Sequence, residues 1–561
     1  MLRWLLWLVF LPITLPLRTL RVLVWTLWPC NTLTLTLHGN VVDVGPESRW
    51  FQSPGTPLFS LLAALASAET DEKLRRVLVK VEGFHGGLGR AEELRAALAL
   101  VRRAGKDVIV VADHLDLAGY WLALGATRIH LSPTGSLEVA GVASEFTLWK
   151  GLLDKVGVQA RLAARGKYKS MREVFAENEM SAANREMLES LVADLYHQLE
   201  QRIAQARSLP EASIRGIVDQ GPFRAEEAHR LGLVDAPRYE DDVRDQLEAA
   251  GALRELSHAR YLKRRRHSFV PRRLPRVALL EVSGGIQLGE ERVGALQPRS
   301  TSAHAFVRAC ERVRKDKSLR AILLRVNSPG GSALGSDLMW HALVKAKGER
   351  PLVVSMGNVA ASGGYYVSGI KGARIFASAC SVTGSIGVVG GKFEASRLYE
   401  RLGVGKEIIR VGKHAAFHSP SVDFSEDELW KLQRDIDALY ADFVAKMAEG
   451  RGVEPTVMEA AAQGRVWTGA QALEHRLIDE LGGAREALDA VRRALGLAPS
   501  ALLALMPAHQ PGLAERLKRV RGRAEASALA ELLPEELDTL FSWRSGIERL
   551  WFRMPFHFRV F

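Results

Sequence analysis

Two halves of the 561-residue chain carry the same signals in the same order. Gly87 and Gly331 lie 244 residues apart, as do Tyr196 and Tyr440, and Asp235 and Asp479; Ser136 and Ser385 lie 249 apart. Near the start of each half an apolar run ends in glycine: residues 33–37 then Gly39, and 277–282 then Gly284. A second run closes on paired glycines, 77–81 then Gly86-Gly87 and 322–326 then Gly330-Gly331. A third apolar run follows at 108–111 and 352–354, then a Gly-Tyr step, a Thr-Gly-Ser step, a long helical pattern containing Leu-Tyr, and a short apolar-Asp ending. Chance similarity would scatter these separations, whereas a duplicated domain keeps them nearly constant. The repeat exceeds a solenoid unit, so each copy is expected to be a domain. Strands alternating with helical patterns predict α/β units with parallel pairing.

The ends and the joint differ from the repeats. From Arg254 to Arg276 there are nine basic residues against one acid, Glu255, and Pro271 and Pro275 interrupt the stretch. It reads as a solvated linker that could also touch anionic headgroups. No zinc-finger or RNA-recognition pattern accompanies it, so nucleic acid is not an expected partner. Residues 1–28 are almost wholly apolar apart from Arg3, Arg18 and Arg21 and a few threonines, with Pro12 and Pro16 inside the run. A single span or an interfacial anchor fits this composition better than a cleaved signal, because no small-x-small site follows. With 25% charged residues the remainder is a globular body and not a polytopic membrane protein. The expected partition is an apolar anchor at 1–30, a first repeat at 31–252, a basic linker at 253–276, a second repeat at 277–497, and an extension at 498–561. The aromatic and basic residues of 540–561 suit either a membrane–water interface or a docked tail. Three scattered cysteines, Cys30, Cys310 and Cys380, form neither a disulfide framework nor a thiolate metal site.

Chemistry concentrates at a few loops. Asn-Ser-Pro-Gly-Gly-Ser at 327–332 sits between an apolar strand and a helical pattern. Glycines there let backbone approach a substrate, and N–H groups near a helix start favour developing negative charge. A plain strand-to-helix turn would look the same. Ala-Ala-Ser-Gly-Gly-Tyr-Tyr at 360–366 follows another apolar strand and flanks Ser362 with small residues. A peptide could reach its Oγ, and the next N–H is a usual oxyanion donor; a small-residue packing contact is the bland reading. No G-x-S-x-G elbow is present, and His414 and His418 are the nearest histidines after Ser362, so a Ser-His-Asp triad has little support.

These motifs, with Thr-Gly-Ser-Ile-Gly at 383–387 and Gly-Lys-Tyr-Lys-Ser at 166–170, resemble the long, two-repeat form of the signal peptide peptidase A family, Ser–Lys peptidases of the ClpP/crotonase superfamily. The resemblance spans roughly residues 33–483. It implies a tandem pair of ClpP/crotonase-like α/β domains behind a membrane-anchoring segment. It further implies Ser362 as nucleophile, Lys169 as general base and Ser385 as the residue assisting that lysine. Gly331 and Gly363 are the expected oxyanion donors. Apolar peptides such as remnant signal peptides become the expected substrates, at a bacterial inner membrane with the catalytic domains on the periplasmic side. The resemblance also implies a homotetramer, with membrane lipid as a further partner. No metal, nucleotide or organic cofactor is expected.

The residues themselves add a complementarity. Aligning Gly119-Tyr120 with Gly364-Tyr365 puts Leu117 where Ser362 stands, and aligning Gly166-Lys167 with Gly412-Lys413 puts Ala415 opposite Lys169. Each half keeps what the other lacks, which predicts one composite site assembled across a domain or subunit interface. A lysine base must be neutral at working pH, so Lys169 needs a pKa near ~7.5 instead of ~10.4, which burial in an apolar crevice can supply. Two other readings remain open: a crotonase-like acyl-CoA enzyme, and a catalytically inactive membrane scaffold.

Overall fold

The computed structural model describes residues 30–44, 55–265, 274–289, 300–508 and 550–553. The chain forms two compact units; one takes described residues up to Gly141 and from Leu199 to 265, the other 142–198 and everything from Leu274 on. Residues 142–198, counted in sequence with the first repeat, thus pack with the second.

In the first unit a sheet is built from β1 (Thr32–Val42), β2 (Thr56–Pro57), β3 (Arg76–His85), β4 (Asp107–Leu115) and β5 (Arg128–Leu137). Its order is β2-β1-β3-β4-β5, all parallel. The next strand, β6 (Gln159–Arg165), belongs to the other unit; β7 (Phe223–Arg224), β8 (Ala236–Pro237) and β9 (Glu255–Ser257) finish the sheet at its margins. Parallel strands covered on both faces need continuous apolar runs, and Val77, Leu78, Val79, Val108, Ile109 and Val110 are all fully buried. Within the basic stretch, β9 pairs with β1, and the helix His258–Arg265 buries Tyr261 and Leu262 while Arg260 and Arg265 are exposed.

The second unit repeats the plan. Its main strands are β10 (Arg276–Ser283), β13 (Leu319–Ser328) and β15 (Leu352–Ala361), mutually parallel in the order β10-β13-β15. Around them lie β11 (Gly285–Gln287), β12 (Ser300–Ser302), β14 (Gly330–Ser332), β16 (Ala373–Ala377), β17 (Val382–Gly384), β18 (Val388–Glu394), β19 (Val466–Thr468), β20 (Glu480–Leu481), β21 (Ala504–Pro507) and β22 (Leu550–Arg553). β17 pairs with the last part of β15 and with β19. A separate six-stranded sheet runs β12-β11-β14-β22-β18-β6. β6 therefore leaves the first repeat's sequence to lie antiparallel against β18 over seven residue pairs.

The fold is thus mixed α/β with two related sheets. Apart from Cys30, the expected anchor at 1–30 lies outside the described residues. So does most of the 498–561 extension; its described part adds β21 to β10 and β22 between β14 and β18. Among the described residues no helix is long and apolar enough to cross a membrane.

Candidate active site

All the singled-out side chains but none of the first sheet belong to the second unit, so its elements alone position them. Ser362 stands where β15 ends and the helix Gly363–Ser368 begins. Its φ of 54° is unusual for a residue with a Cβ and marks a tight strand-to-helix turn held by its surroundings. Those surroundings are hydrogen bonds. Ser362 N donates to Gly384 O at 2.7 Å, and Tyr366 N donates to Ser362 O at 2.8 Å. Thr383 Oγ1 donates to Ala360 O at 2.6 Å. The Thr-Gly-Ser step therefore zips against the Ala-Ala-Ser step, and Ser385, also at φ 54°, ends beside Ser362.

Lys169 arrives from the loop after β6. Its Nζ lies 2.8 Å from Ser362 Oγ, 3.1 Å from Ser385 Oγ and 3.1 Å from Ser385 O. Lys169 is 4% exposed and both serines are fully buried. Burial pushes the ammonium down to about 7, because desolvation disfavours the charged form. The expected trio is thus brought within hydrogen-bonding distance inside one chain and one compact unit.

A segment that sequence reasoning missed holds this geometry. Tyr168 N donates to Gln463 O at 2.7 Å, Ser385 N to Arg465 O at 2.7 Å, and Gly464 N to Ile386 O at 2.7 Å. Residues 463–465 therefore tie the lysine loop to the Ser385 loop. A Cβ on Gly464 would sit 2.6 Å from Lys169 N and 2.8 Å from its Cα, so only glycine permits this approach. The available signal was the Gln-Gly step that recurs as Gln220-Gly221 and Gln463-Gly464. Beside them Arg465 pairs with Glu186 at 2.6 Å, and Tyr168 Oη reaches the same carboxylate at 3.1 Å.

The Asn-Ser-Pro-Gly-Gly-Ser loop is braced from below. Asn327 Oδ1 accepts from Val359 N at 3.1 Å, and Ser328 Oγ donates to Gly284 O at 2.6 Å while accepting from Gly330 N at 3.1 Å. This brings Gly330-Gly331 against the start of the Gly363 helix: a Cβ on Gly363 would lie 3.3 Å from Gly331 N and 3.3 Å from Gly330 Cα. Gly331 and Gly363 are therefore close neighbours of each other at the turn that carries Ser362. His414 sits instead against Asp427, 2.9 Å away, and Ser362 Oγ has a lysine as its neighbour. A cavity of about 370 Å³ borders Lys169 from the side of Leu162, Arg172 and Glu173, and Ser362 does not line it. Among the described residues no group of three or more His, Cys, Asp or Glu is arranged to hold a metal ion.

The model of the peptidase S49 family matches residues 101–254 and again 345–498. Protease 4 of Salmonella typhi is 30% identical over 457 residues, which cover 79% of this chain and 72% of that protein. Protease 4 of Haemophilus influenzae is 29% identical over 497 residues, covering 82% and 78%. The chloroplastic serine protease SPPA of Arabidopsis thaliana is 28% identical over 481 residues, covering 82% and 68%. The two matched segments cover more than half of the chain and coincide with the internal repeat; the chain belongs to peptidase family S49 and is a serine-type peptidase.

Proposed function

We propose that the chain is a membrane-associated endopeptidase that uses Ser362 as nucleophile and Lys169 as base to cleave apolar peptides, remnant signal peptides among them. The observation that carries the reading is the 2.8 Å approach of Lys169 Nζ to Ser362 Oγ in a crevice where the amine's pKa falls to about 7. A neutral amine has two N–H donors and one lone pair. Ser385 O and Oγ can take the two donors, which leaves the lone pair for the Ser362 hydroxyl. Ser385 then fixes the rotation of the base and performs no chemistry itself.

The steps follow from that arrangement. As Ser362 Oγ bonds to the scissile carbonyl carbon, its proton passes to Lys169 Nζ. The carbonyl oxygen becomes an oxyanion, which the N–H groups of Gly331 and Gly363 stabilise. The intermediate collapses with cleavage of the C–N bond, and the Lys169 ammonium gives its proton to the leaving amine. Water, deprotonated by Lys169, then hydrolyses the ester and frees Ser362. Every proton is returned within the cycle, so no metal or organic cofactor is required.

The slot between β14 and β18 supports a peptide substrate. It accepts an extended backbone, Leu550–Arg553 of this chain, antiparallel to both strands and beside the helix that starts after Ser362. Attachment to a membrane is supported by the apolar composition of residues 1–30, and its placement at a bacterial inner membrane with the units on the periplasmic side follows the family resemblance alone.

A fluorophosphonate tests the nucleophile directly. Labelling should map by mass spectrometry to Ser362 alone. Its rate should rise tenfold per pH unit below about pH 7 and level off above it, as the amine loses its proton. Labelling at another serine would remove Ser362 as the nucleophile, and a rate still climbing towards pH 10 would mean that the base is an amine of ordinary pKa and not a buried one.

A further inference from the structure

Lys169 and Ser385 are 216 residues apart in the sequence, yet the site holds Nζ 3.1 Å from Oγ. One residue reaches both sides of that gap. Arg465 O accepts from Ser385 N at 2.7 Å, so its main chain holds the serine loop. Its side chain goes to the residue before the lysine. Nη1 donates to Tyr168 Oη at 3.1 Å and to Glu186 Oε1 at 2.6 Å, and Tyr168 Oη donates to the same carboxylate at 3.1 Å. The guanidinium carbon lies 4.8 Å from the centroid of the Tyr168 ring and 4.5 Å from that of Trp467. Trp467 is anchored in turn, its Nε1 donating to Ala461 O at 2.9 Å. Hydrogen-bonded, stacked on two rings and only 16% exposed, the Arg465 side chain is held in one place.

The internal repeat ties this arrangement to the dyad rather than to the sheet. Both copies build the sheet, but only one set of positions keeps these side chains. With Gly166-Lys167 aligned on Gly412-Lys413, Tyr168 stands opposite His414. The 244-residue separation of Tyr196 and Tyr440 sets Glu186 opposite Trp430. The Gln220-Gly221 and Gln463-Gly464 steps set Arg465 opposite Pro222. Like the dyad, the trio draws on both halves of the sequence, with Tyr168 and Glu186 from the first and Arg465 from the second.

We propose that Arg465 is a positioning residue for the peptidase reaction: with Tyr168 and Glu186 it clamps the lysine loop onto the Ser385 loop and keeps Lys169 Nζ at its depth between the two serines. The proposal rests on the dyad reading above. The groups that face the amine are the oxygens of Ser362 and Ser385. Lys167 is a second cation at the clamp, its Nζ 3.2 Å from Tyr168 Oη and 3.6 Å from Glu186. Its side chain is 60% exposed and joins the lysine loop to that carboxylate alone. Without Arg465 the backbone bond from Tyr168 N to Gln463 O remains, but the side-chain hold on the loop is gone. Water then reaches the amine, and its basicity returns towards that of an ordinary lysine.

The pH profile of fluorophosphonate labelling at Ser362, read beside a thermal melt of each protein, tests the clamp. The parent should level off above about pH 7. Arg465→Met should move that point by about one pH unit or more to the alkaline side, so that labelling is about tenfold slower at pH 6.5 and recovers by about pH 9. Tyr168→Phe alters no charge and keeps the ring, and should move it the same way by less. Arg465→Lys should move it too, because an ammonium cannot span both partners and stack on both rings. Lys167→Met should leave it in place. Arg465→Met with the midpoint of the parent, however slow or unstable the protein, would overturn the proposal by reducing Arg465 to a structural part. Arg465→Lys with the parent profile, or Lys167→Met with the shift of Arg465→Met, would overturn it by assigning the effect to charge. If Arg465→Met does not fold, Tyr168→Phe and Arg465→Lys decide the question by the same midpoint. A parent profile still climbing towards pH 10 would remove the buried base itself and the role of the clamp with it, a failure seen before any variant is made.

Discussion

Lys169→Met should lower peptide hydrolysis by about 10⁴-fold or more and at the same time make the protein more stable. Activity falls because Ser362 Oγ loses the amine that lies 2.8 Å from it. Stability rises because the native lysine is buried at a cost. Its pKa is lowered to about 7 in the fold, against ~10.4 in the unfolded chain. Between those values the unfolded state holds a proton that the folded state has given up, so the stability of the parent increases with pH across that window. Below about pH 7 both states are protonated and the full cost remains, on the order of 4 kcal/mol at ~1.36 kcal/mol per pH unit. Methionine has nearly the same length and carries no charge, so it escapes this cost. Urea melts should therefore show the variant well ahead of the parent at pH 6.5, with the gap narrowing towards pH 10. Equal stability at pH 6.5 would mean that the amine is solvated, and residual hydrolysis above a hundredth of the parent rate would mean that another group takes the proton. Ser362→Ala separates the two effects, since it should lose activity to a similar extent without the pH-dependent gain.

In the sequence, Ser362 and Lys169 were pointed to by the family resemblance of their motifs, and the asymmetric decay of the duplication, with Leu117 in place of Ser362 and Ala415 in place of Lys169, agreed with that choice. The strands were legible for another reason: β3 and β13 are buried on both faces, so Val77 to Val79 and Ile322 to Leu324 stand as unbroken apolar runs. What sequence could not give was the partition of the chain. Residues 142–198 follow the first repeat covalently, yet β6 pairs with β18 and Met187 packs with Ala361 and Val466. Which of two similar sheets an extended segment joins depends on edges formed by residues far away, and local periodicity carries no trace of that. The tie through residues 463–465 was hidden likewise, because its contacts are backbone hydrogen bonds, to which any residue type can contribute.

Gly331→Ala should reduce kcat by 10²- to 10³-fold with little change in KM, the loss expected when one oxyanion donor is displaced. Glycine is required here by conformation and by space. Its φ is 153°, and a Cβ would fall 2.2 Å from Ile286 O and 2.6 Å from Ile286 N, both backbone atoms of β11 that cannot swing aside. The Gly331 peptide must therefore move locally, and with it the N–H that faces the Gly363 turn. Ground-state binding should survive, because the flanking pairs at Gly330 and Ser332 still offer an extended peptide its backbone partners. An interaction made chiefly with the developing oxyanion shows itself in kcat, whereas a groove that had merely collapsed would raise KM. Circular dichroism and thermal melts on the same samples distinguish a displaced donor from an unfolded one. A folded Gly331→Ala protein with unchanged kcat would place the oxyanion elsewhere, and the N–H of Gly363 would then have to act with a different partner.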